Sequence, residues 1–215
     1  MPVQKLTPER RRELTRTALI EAAAEVFAER GLQGSSLDEI ADRAGFTRGA
    51  IYSNFGSKEE LLIAVLEWYG VRTLEAFEAV SREEEWDPAT GARTWSDVVH
   101  RDPRIALLHV EFELQAMRDP KFRDRLAKLH RDQVERIARF VEDAVKENGQ
   151  RLKISAVDFA EIGWAASDGL LLFAAIDTEH ADRYDRLIGE LYIAAFGAWL
   201  EPAEPDQPPP ATLGA

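Results

Sequence analysis

The chain has 215 residues, of which 45% are hydrophobic and 31% are charged, so it can form one large core or a small domain joined to a larger one. It contains no cysteine, which excludes disulfides and thiolate metal sites. The formal net charge is −12, and it is unevenly distributed. Residues 1–60 carry nine Lys and Arg against ten Asp and Glu, whereas the remainder carries 18 against 29.

Several classes of protein are disfavoured by what the sequence lacks. No apolar run reaches the roughly 18 residues of a membrane span, and the N-terminus has no apolar segment typical of a signal peptide. The four histidines have no metal-ligand spacing, and the catalytic and phosphate-binding glycine motifs are missing. We therefore expect a cytoplasmic protein that is not an enzyme, has no membrane association and uses no metal or cofactor.

The first predicted helix begins at Thr7, where threonine is an N-cap and Pro8 occupies the first helical position. Its apolar residues recur with a period of 3.6 until Gly31 ends it. A short helix follows Ser36, which with Glu39 forms a capping box.

Gly45 provides a left-handed stop for that helix, and Thr47 can cap the next one. This next helix carries Ile51 inward and a set of polar residues outward: Arg48, Tyr52, Ser53 and Asn54. Two short helices joined by a glycine-containing turn predict a helix-turn-helix, whose second helix enters the DNA major groove. Arginine, asparagine and serine are side chains that bind base edges.

The remainder of the chain is also predicted to be helical, so the fold class is all-α. Ser57 and Glu60 form a capping box that opens a long helix to about residue 80. Residues 82–102 are irregular, and residues 201–215 hold five of the ten prolines, which predicts a disordered tail. The further helices are expected at 103–117, 120–148, 156–177 and 182–200.

Residues 10–66 resemble the N-terminal domain of the TetR family of bacterial transcriptional regulators. The resemblance rests on the long first helix, the helix-turn-helix, the Tyr52-x-x-Phe55 pair and the sequence Ser-Lys-Glu-Glu-Leu at 57–61. It implies an N-terminal DNA-binding domain over 1–56, a helical effector-binding and dimerisation domain over 57–200, and the tail over 201–215.

The resemblance also implies which residues contact DNA. Thr47 and Tyr52 would contact phosphate, whereas Arg48, Gly49, Ser53 and Asn54 would face base edges. Ser36 and Lys58 lie at helix N-termini, where backbone N–H groups favour a phosphate, and Lys58 would add a mobile charge.

The candidate effector residues lie further along the chain. A helical projection puts Glu113 inside the apolar arc of helix 103–117, where a carboxylate is costly unless it is paired or used. It could pair with an arginine or with His109, or both could line a ligand cavity. Asp168 beside Trp164 could belong to the cavity or accept a hydrogen bond at a dimer interface. Trp68 and Phe112 are candidate pocket walls, and the alternative for each is a simple core residue.

The sequence and the resemblance together predict a homodimer that binds a palindromic double-stranded DNA operator and is released by a small-molecule effector. The resemblance implies that the dimer forms through helices 156–177 and 182–200 as an intersubunit four-helix bundle. The first of these helices is apolar all round, and the second carries an apolar stripe. Ligand-induced activation or co-repression stays open. The competing hypotheses are a helical ligand-binding protein that has lost DNA binding, and an enzyme on a helical scaffold.

Overall fold

The computed structural model describes residues 7–81 and 104–203. Residues 7–81 contain four helices: α1 (Pro8–Gly34), α2 (Leu37–Ala44), α3 (Arg48–Phe55) and α4 (Lys58–Ser81). Residues 104–203 contain α5 (Arg104–Arg118), α6 (Pro120–Glu147), β1 (Gln150–Leu152), α7 (Ala156–Ile176), a 3-10 turn (Thr178–His180), α8 (Ala181–Trp199) and β2 (Leu200–Pro202).

The predicted all-α class and the helix-turn-helix are confirmed, and the helix bounds agree to within a few residues. The predicted disordered tail does not begin at residue 201, because Glu201 and Pro202 belong to β2. This strand pairs antiparallel with β1 and aligns Leu152 with Leu200. A three-residue strand is too short to show a recognisable alternation. The predicted irregular segment 82–102 and residues 204–215 lie outside the described residues.

Side-chain caps fix where the helices begin. Thr7, Ser36 and Ser155 each accept a hydrogen bond from the backbone N–H three residues on, which satisfies an otherwise unpaired donor of the first turn. The Ser57 hydroxyl does the same for the N–H of Glu60. Local sequence therefore determines the starts of these four helices.

Two compact units divide the chain. Among the described residues, the first unit contains 7–70 and 107–126, and the second contains 71–81, 104–106 and 127–203. In the first unit, the 3.6-residue stripe of α1 is buried together with apolar residues of α2, α3 and α4. Its fully buried side chains include Leu19, Phe27, Ile40, Ile51, Leu61 and Phe112.

In the second unit, α8 packs on α7 through Ile188, Tyr192 and Phe196, which recur every four residues and are buried. The absence of a side chain at Gly163 makes room for the Tyr192 ring, since a Cβ there would lie 2.8 Å from the phenol oxygen. The Tyr192 hydroxyl is 3.2 Å from the buried Ser167 hydroxyl. This contact satisfies both polar groups.

Among the described residues, one helix is long and apolar enough to cross a membrane by length and composition, α7. Only 28% of its most apolar window is buried. A core or interface helix of a water-soluble protein passes the same test, so this composition is weak evidence for a membrane.

The backbone of α1 breaks at Gly31, which has φ 68° and ψ 170°, a region that only glycine adopts readily. The Glu111 carboxylate of α5 packs against the break, and a Cβ on Gly31 would lie 2.9 Å from its Oε1. Gly34, three residues later, has no such constraint, because a Cβ there would meet only the Arg30 Cβ at 3.6 Å.

We expect Gly31→Ala to lower the free energy of unfolding by about 1–3 kcal/mol, because alanine is strained at this φ and ψ. Gly34→Ala is the matched control and should be neutral or raise stability by up to about 1 kcal/mol. Urea unfolding of the full chain, followed by circular dichroism, measures both. Equal effects of the two substitutions would contradict the assigned backbone strain at Gly31.

Candidate nucleic-acid interface

The short helix α3 buries one face and exposes the other. Ile51 and Phe55, four residues apart, are buried in the core of the first unit. Arg48, Gly49, Tyr52 and Ser53 are exposed. The turn before α3 is held by Gly45 at φ 74°, which provides the predicted left-handed stop of α2. The core thus orients α3 with a polar face towards solvent.

Arg48 is held by neighbours on two helices. Its Nη1 donates to Asp38 Oδ2 of α2 at 3.0 Å, and its Nη2 donates to the Tyr52 hydroxyl at 3.1 Å. The guanidinium carbon also lies 5.6 Å from the centre of the Tyr52 ring. The hydrogen bond to Tyr52 and then the charge of Asp38 raise the pKa of Arg48 above its usual value.

Asn54 differs from the prediction that it faces outward. It is half-buried, and its Nδ2 donates to the Ala50 carbonyl of its own helix at 2.8 Å. Its Oδ1 is buried without a hydrogen bond among the described residues. Because a side chain at the end of a short helix can bond back to the preceding turn, its helical position alone did not determine its direction. Its base contact stays a prediction.

The C-terminus of α3 is held by a residue that the sequence analysis missed. Arg16 of α1 donates from Nη1 to the Asn54 carbonyl at 3.0 Å, and its guanidinium carbon lies 4.4 Å from the centre of the Phe55 ring. A cation at the C-terminal carbonyls of a helix is electrostatically favourable. The separation of 38 residues explains why local patterns gave no signal.

Ser36 and Thr47 precede α2 and α3, as predicted. The Ser36 hydroxyl accepts from the N–H of Glu39 at 3.1 Å. Thr47 is exposed and occupies the N-cap position of α3, but its side chain makes no capping hydrogen bond, so the predicted side-chain cap is wrong. Their phosphate contacts stay predictions.

Lys58 was expected to be a mobile charge, and the structure corrects this. Its Nζ donates to the carbonyls of Leu32 and Ser35, at 2.6 Å each. Partial burial lowers the pKa of Lys58 below its ordinary value. The residue lies at the N-terminus of α4 as predicted, but the fold directs its ammonium towards carbonyls at the end of α1. Its phosphate contact stays a prediction.

The backbone of Leu32 is therefore held from two sides. Glu111 Oε2 of α5 accepts from the Leu32 N–H at 3.2 Å, while Lys58 and the Ser35 hydroxyl donate to the Leu32 carbonyl. We call these contacts of Leu32, Ser35, Lys58 and Glu111 the Leu32 clasp. It fixes the connection through which α1 leads into the helix-turn-helix, and it lies wholly in the first unit.

The predicted effector residues of the first unit have different environments. Phe112 is fully buried, and Trp68 and His109 are half-buried. Trp68 packs edge-to-face on Tyr69 with ring centroids 4.9 Å apart. Glu113 is exposed, contrary to the prediction that it occupies a buried arc. The projection failed because apolar residues of α5 are not all covered, and Leu107 and Met117 are themselves exposed.

The remaining two predicted effector residues lie in the second unit and contact each other. The Trp164 Nε1 donates to Asp168 Oδ2 at 2.7 Å, one turn along α7. The Trp164 ring also packs edge-to-face on His130, whose Nε2 is 2.9 Å from Glu161 Oε1. The role of Trp164 and Asp168 in effector binding stays a prediction.

Comparison with known proteins agrees with this geometry. A profile described as "Bacterial regulatory proteins, tetR family" matches residues 19–65, which run from the buried stripe of α1 through α3 into α4. Residues 19–65 of the chain therefore belong to this family.

Two curated relatives and one solved structure define how far the similarity extends. The transcriptional activator FasR of Mycolicibacterium smegmatis is 48% identical over 56 residues, 26% of each chain. The transcriptional repressor KstR2 of Mycobacterium tuberculosis is 31% identical over 111 residues, 50% of this chain and 55% of that one. This chain therefore matches about a quarter of one relative's length and about half of the other's.

A crystal structure of a transcriptional regulator from Rhodococcus sp. Rha1 covers 86% of this chain and 97% of its own, with a TM-score of 0.68 and 24% identity. At this identity the likeness shows a shared fold. Both curated relatives are helix-turn-helix regulators of transcription, one an activator and the other a repressor, and their similarity to this chain extends over part of each protein.

The Leu32 clasp predicts the effect of removing the Lys58 charge. Lys58→Met keeps an apolar stem but leaves two carbonyls without their ammonium donor, so the free energy of unfolding should fall by about 1–2 kcal/mol. Lys121→Met, at an exposed position, is the matched control and should change stability by less than about 0.5 kcal/mol. Urea unfolding measures both variants.

The salt dependence of DNA binding separates the clasp from the predicted phosphate contact. Unchanged stability of Lys58→Met, with the slope of log affinity against log salt reduced by about one, would contradict the clasp and assign Lys58 to phosphate.

Proposed function

We propose that this protein is a ligand-responsive, homodimeric repressor that reads a palindromic operator with α3. The observation that carries the proposal is the two-sided character of α3. Ile51 and Phe55 anchor it in the core, and Arg48, Tyr52 and Ser53 lie exposed on its polar side. A repressor that acts on the chromosome of a bacterium works in the cytoplasm.

The side chains of α3 suit different parts of a DNA site. Arginine can donate two parallel hydrogen bonds to a guanine edge, and serine can bond to several bases. Tyr52 and Thr47 offer hydroxyls for phosphate, while Gly49 allows close approach of the helix to the DNA. Ser36 at the start of α2 and the backbone N–H groups at the start of α4, where Lys58 lies, would support phosphate contacts.

A gel-shift with DNA from beside the protein's own gene, at fixed salt and with excess competitor DNA, tests this function. We expect a shift that resists the competitor. Arg48→Ala should weaken the specific complex by about 1–3 kcal/mol and relax the preference at one base pair of each half-site. Equal weakening on every sequence would contradict a base contact and make Arg48 a backbone contact.

Arg43→Ala is the matched control for this experiment. Arg43 lies on α2, and its guanidinium is engaged by Glu29 at 2.7 Å. The substitution removes the same charge from the same domain without touching α3. It should leave the base preference unchanged.

The proposal of a homodimer is supported by an uncovered apolar stripe on α7. Ile162, Ala165, Leu172, Phe173 and Ile176 are exposed and recur at helical spacing, whereas the opposite side packs on α8. Ile176 is 70% exposed and Phe173 is 56% exposed, values that are costly for a soluble monomer. Pairing of this stripe, with contributions from the exposed Leu187 and Ile193 of α8, would bury it.

A dimer of this kind has two α3 helices related by a two-fold axis. Recognition helices that enter successive major grooves on one side of the duplex lie one helical turn apart, about 34–36 Å. The operator would therefore be a palindrome with half-sites at that spacing. The acidic remainder of the chain would repel DNA and limit non-specific binding.

Phe173→Glu should convert the dimer to monomers at micromolar concentration, because it would place two carboxylates in an apolar interface. Leu14→Glu, another exposed apolar position on α1, is the control and should keep the dimer mass. Size-exclusion chromatography with light scattering measures both. A wild-type monomer, or a dimer unaffected by Phe173→Glu, would contradict this interface.

Effector control would act through helices that run from one unit into the other. α4, α5 and α6 each contribute residues to both units. A ligand can change DNA binding only through different affinities for the DNA-competent and DNA-incompetent states. We propose that a small molecule bound in the helical body shifts α4 and relieves repression.

A further inference from the structure

We propose that Asp38 determines the specificity of DNA recognition by restraining Arg48. This inference rests on the proposed function of α3 and adds a residue outside that helix. Asp38 lies in the first turn of α2 and is exposed, as is Arg48 at the start of α3. Their side chains form an ion pair, with Nη1 and Oδ2 separated by 3.0 Å.

The Asp38 carboxylate is exposed beside the helix that is proposed to enter the DNA groove. DNA phosphates repel a carboxylate, and a surface built only for affinity would leave the arginine charge free to bind the backbone. Asp38 instead compensates the charge of Arg48. In the free protein, Arg48 therefore contributes little to the non-specific electrostatic attraction between the protein and DNA.

The geometry also restricts the orientation of the guanidinium. Asp38 holds Nη1, and the Tyr52 hydroxyl holds Nη2 from the same helix as Arg48. A guanidinium is planar and has further N–H donors beyond these two contacts. Fixing its plane selects an acceptor pair in one direction, which favours the bidentate edge of a guanine over a phosphate that can be approached from many angles.

The pair therefore acts differently on the two kinds of DNA. On the correct site, Asp38 already holds the Arg48 guanidinium in the orientation that binds a guanine edge, so less side-chain conformational entropy is lost on binding. On other DNA, the pair must break before Arg48 reaches a phosphate, and Asp38 is then left beside the negative backbone. Discrimination arises mainly from this penalty on the wrong sequences.

Asp38→Asn in the full chain tests the inference. The probes are the duplex that the wild-type protein enriches from a random library and a scrambled duplex of equal length. We expect affinity for the scrambled duplex to rise about three- to tenfold and its salt slope to steepen by up to about one. The ratio of the two affinities should fall about tenfold, which is in the range of one lost base contact.

Two variants control for charge and position. Asp42→Asn removes the same charge from the same face of α2, one turn further along, and should leave the affinity ratio within about twofold of wild type. Asp38→Glu, which keeps the carboxylate, should restore at least part of the lost ratio. Circular dichroism checks that each variant is folded.

A double-mutant cycle with Arg48→Ala identifies the route of the effect. In the Arg48→Ala background, Asp38→Asn should no longer change the ratio, because the residue that it restrains is gone. A lowered ratio in that background would overturn the inference and assign Asp38 a contact of its own, for instance with a cytosine amino group.

The outcomes also separate this inference from the function on which it rests. If the wild-type protein enriches no sequence, the proposed function and the inference both fail. If it enriches a sequence and Asp38→Asn discriminates as well as wild type, only the inference is overturned.

Discussion

The first unit depends on how the backbone of Leu32 is held between opposite charges. Gly31 breaks α1 and turns the chain towards α2, which leaves backbone groups that need partners. The Glu111 carboxylate accepts the Leu32 N–H, and the Lys58 ammonium donates to its carbonyl. Because Lys58 belongs to α4 and Glu111 to α5, a displacement of either helix would act directly on the connection to α2 and α3.

Local patterns in the sequence predicted the elements, whereas the contacts between elements required the structure. Caps such as Ser36 and Ser155 act within one turn, so the sequence alone located the helix starts. The Leu32–Glu111 bond spans 79 residues, and no period or motif connects two such positions. A projection of α5 gave Glu113 the buried role, but the structure exposes Glu113 and uses Glu111 instead.

In the candidate interface, too, local sequence predicted which residues are buried or exposed but not which contacts they make. The spacing of α3 predicted that Ile51 is core and that Arg48, Tyr52 and Ser53 are exposed, and the structure agrees. It could not predict that Asn54 bonds to its own helix, that Arg16 supports its carbonyl, or that Asp38 engages Arg48. These contacts depend on side-chain directions and on neighbouring helices. Together they give the polar surface of α3 an ordered arrangement, in which Asp38 compensates the charge of Arg48.

The proposed function requires this ordered surface to read a DNA sequence. Selection of duplexes from a random library by the full chain, at near-physiological salt, tests whether it does. We expect enrichment of an inverted repeat whose half-sites lie one helical turn apart, about 10 base pairs. Enrichment of no motif, with binding that falls equally on all duplexes as salt rises, would contradict it.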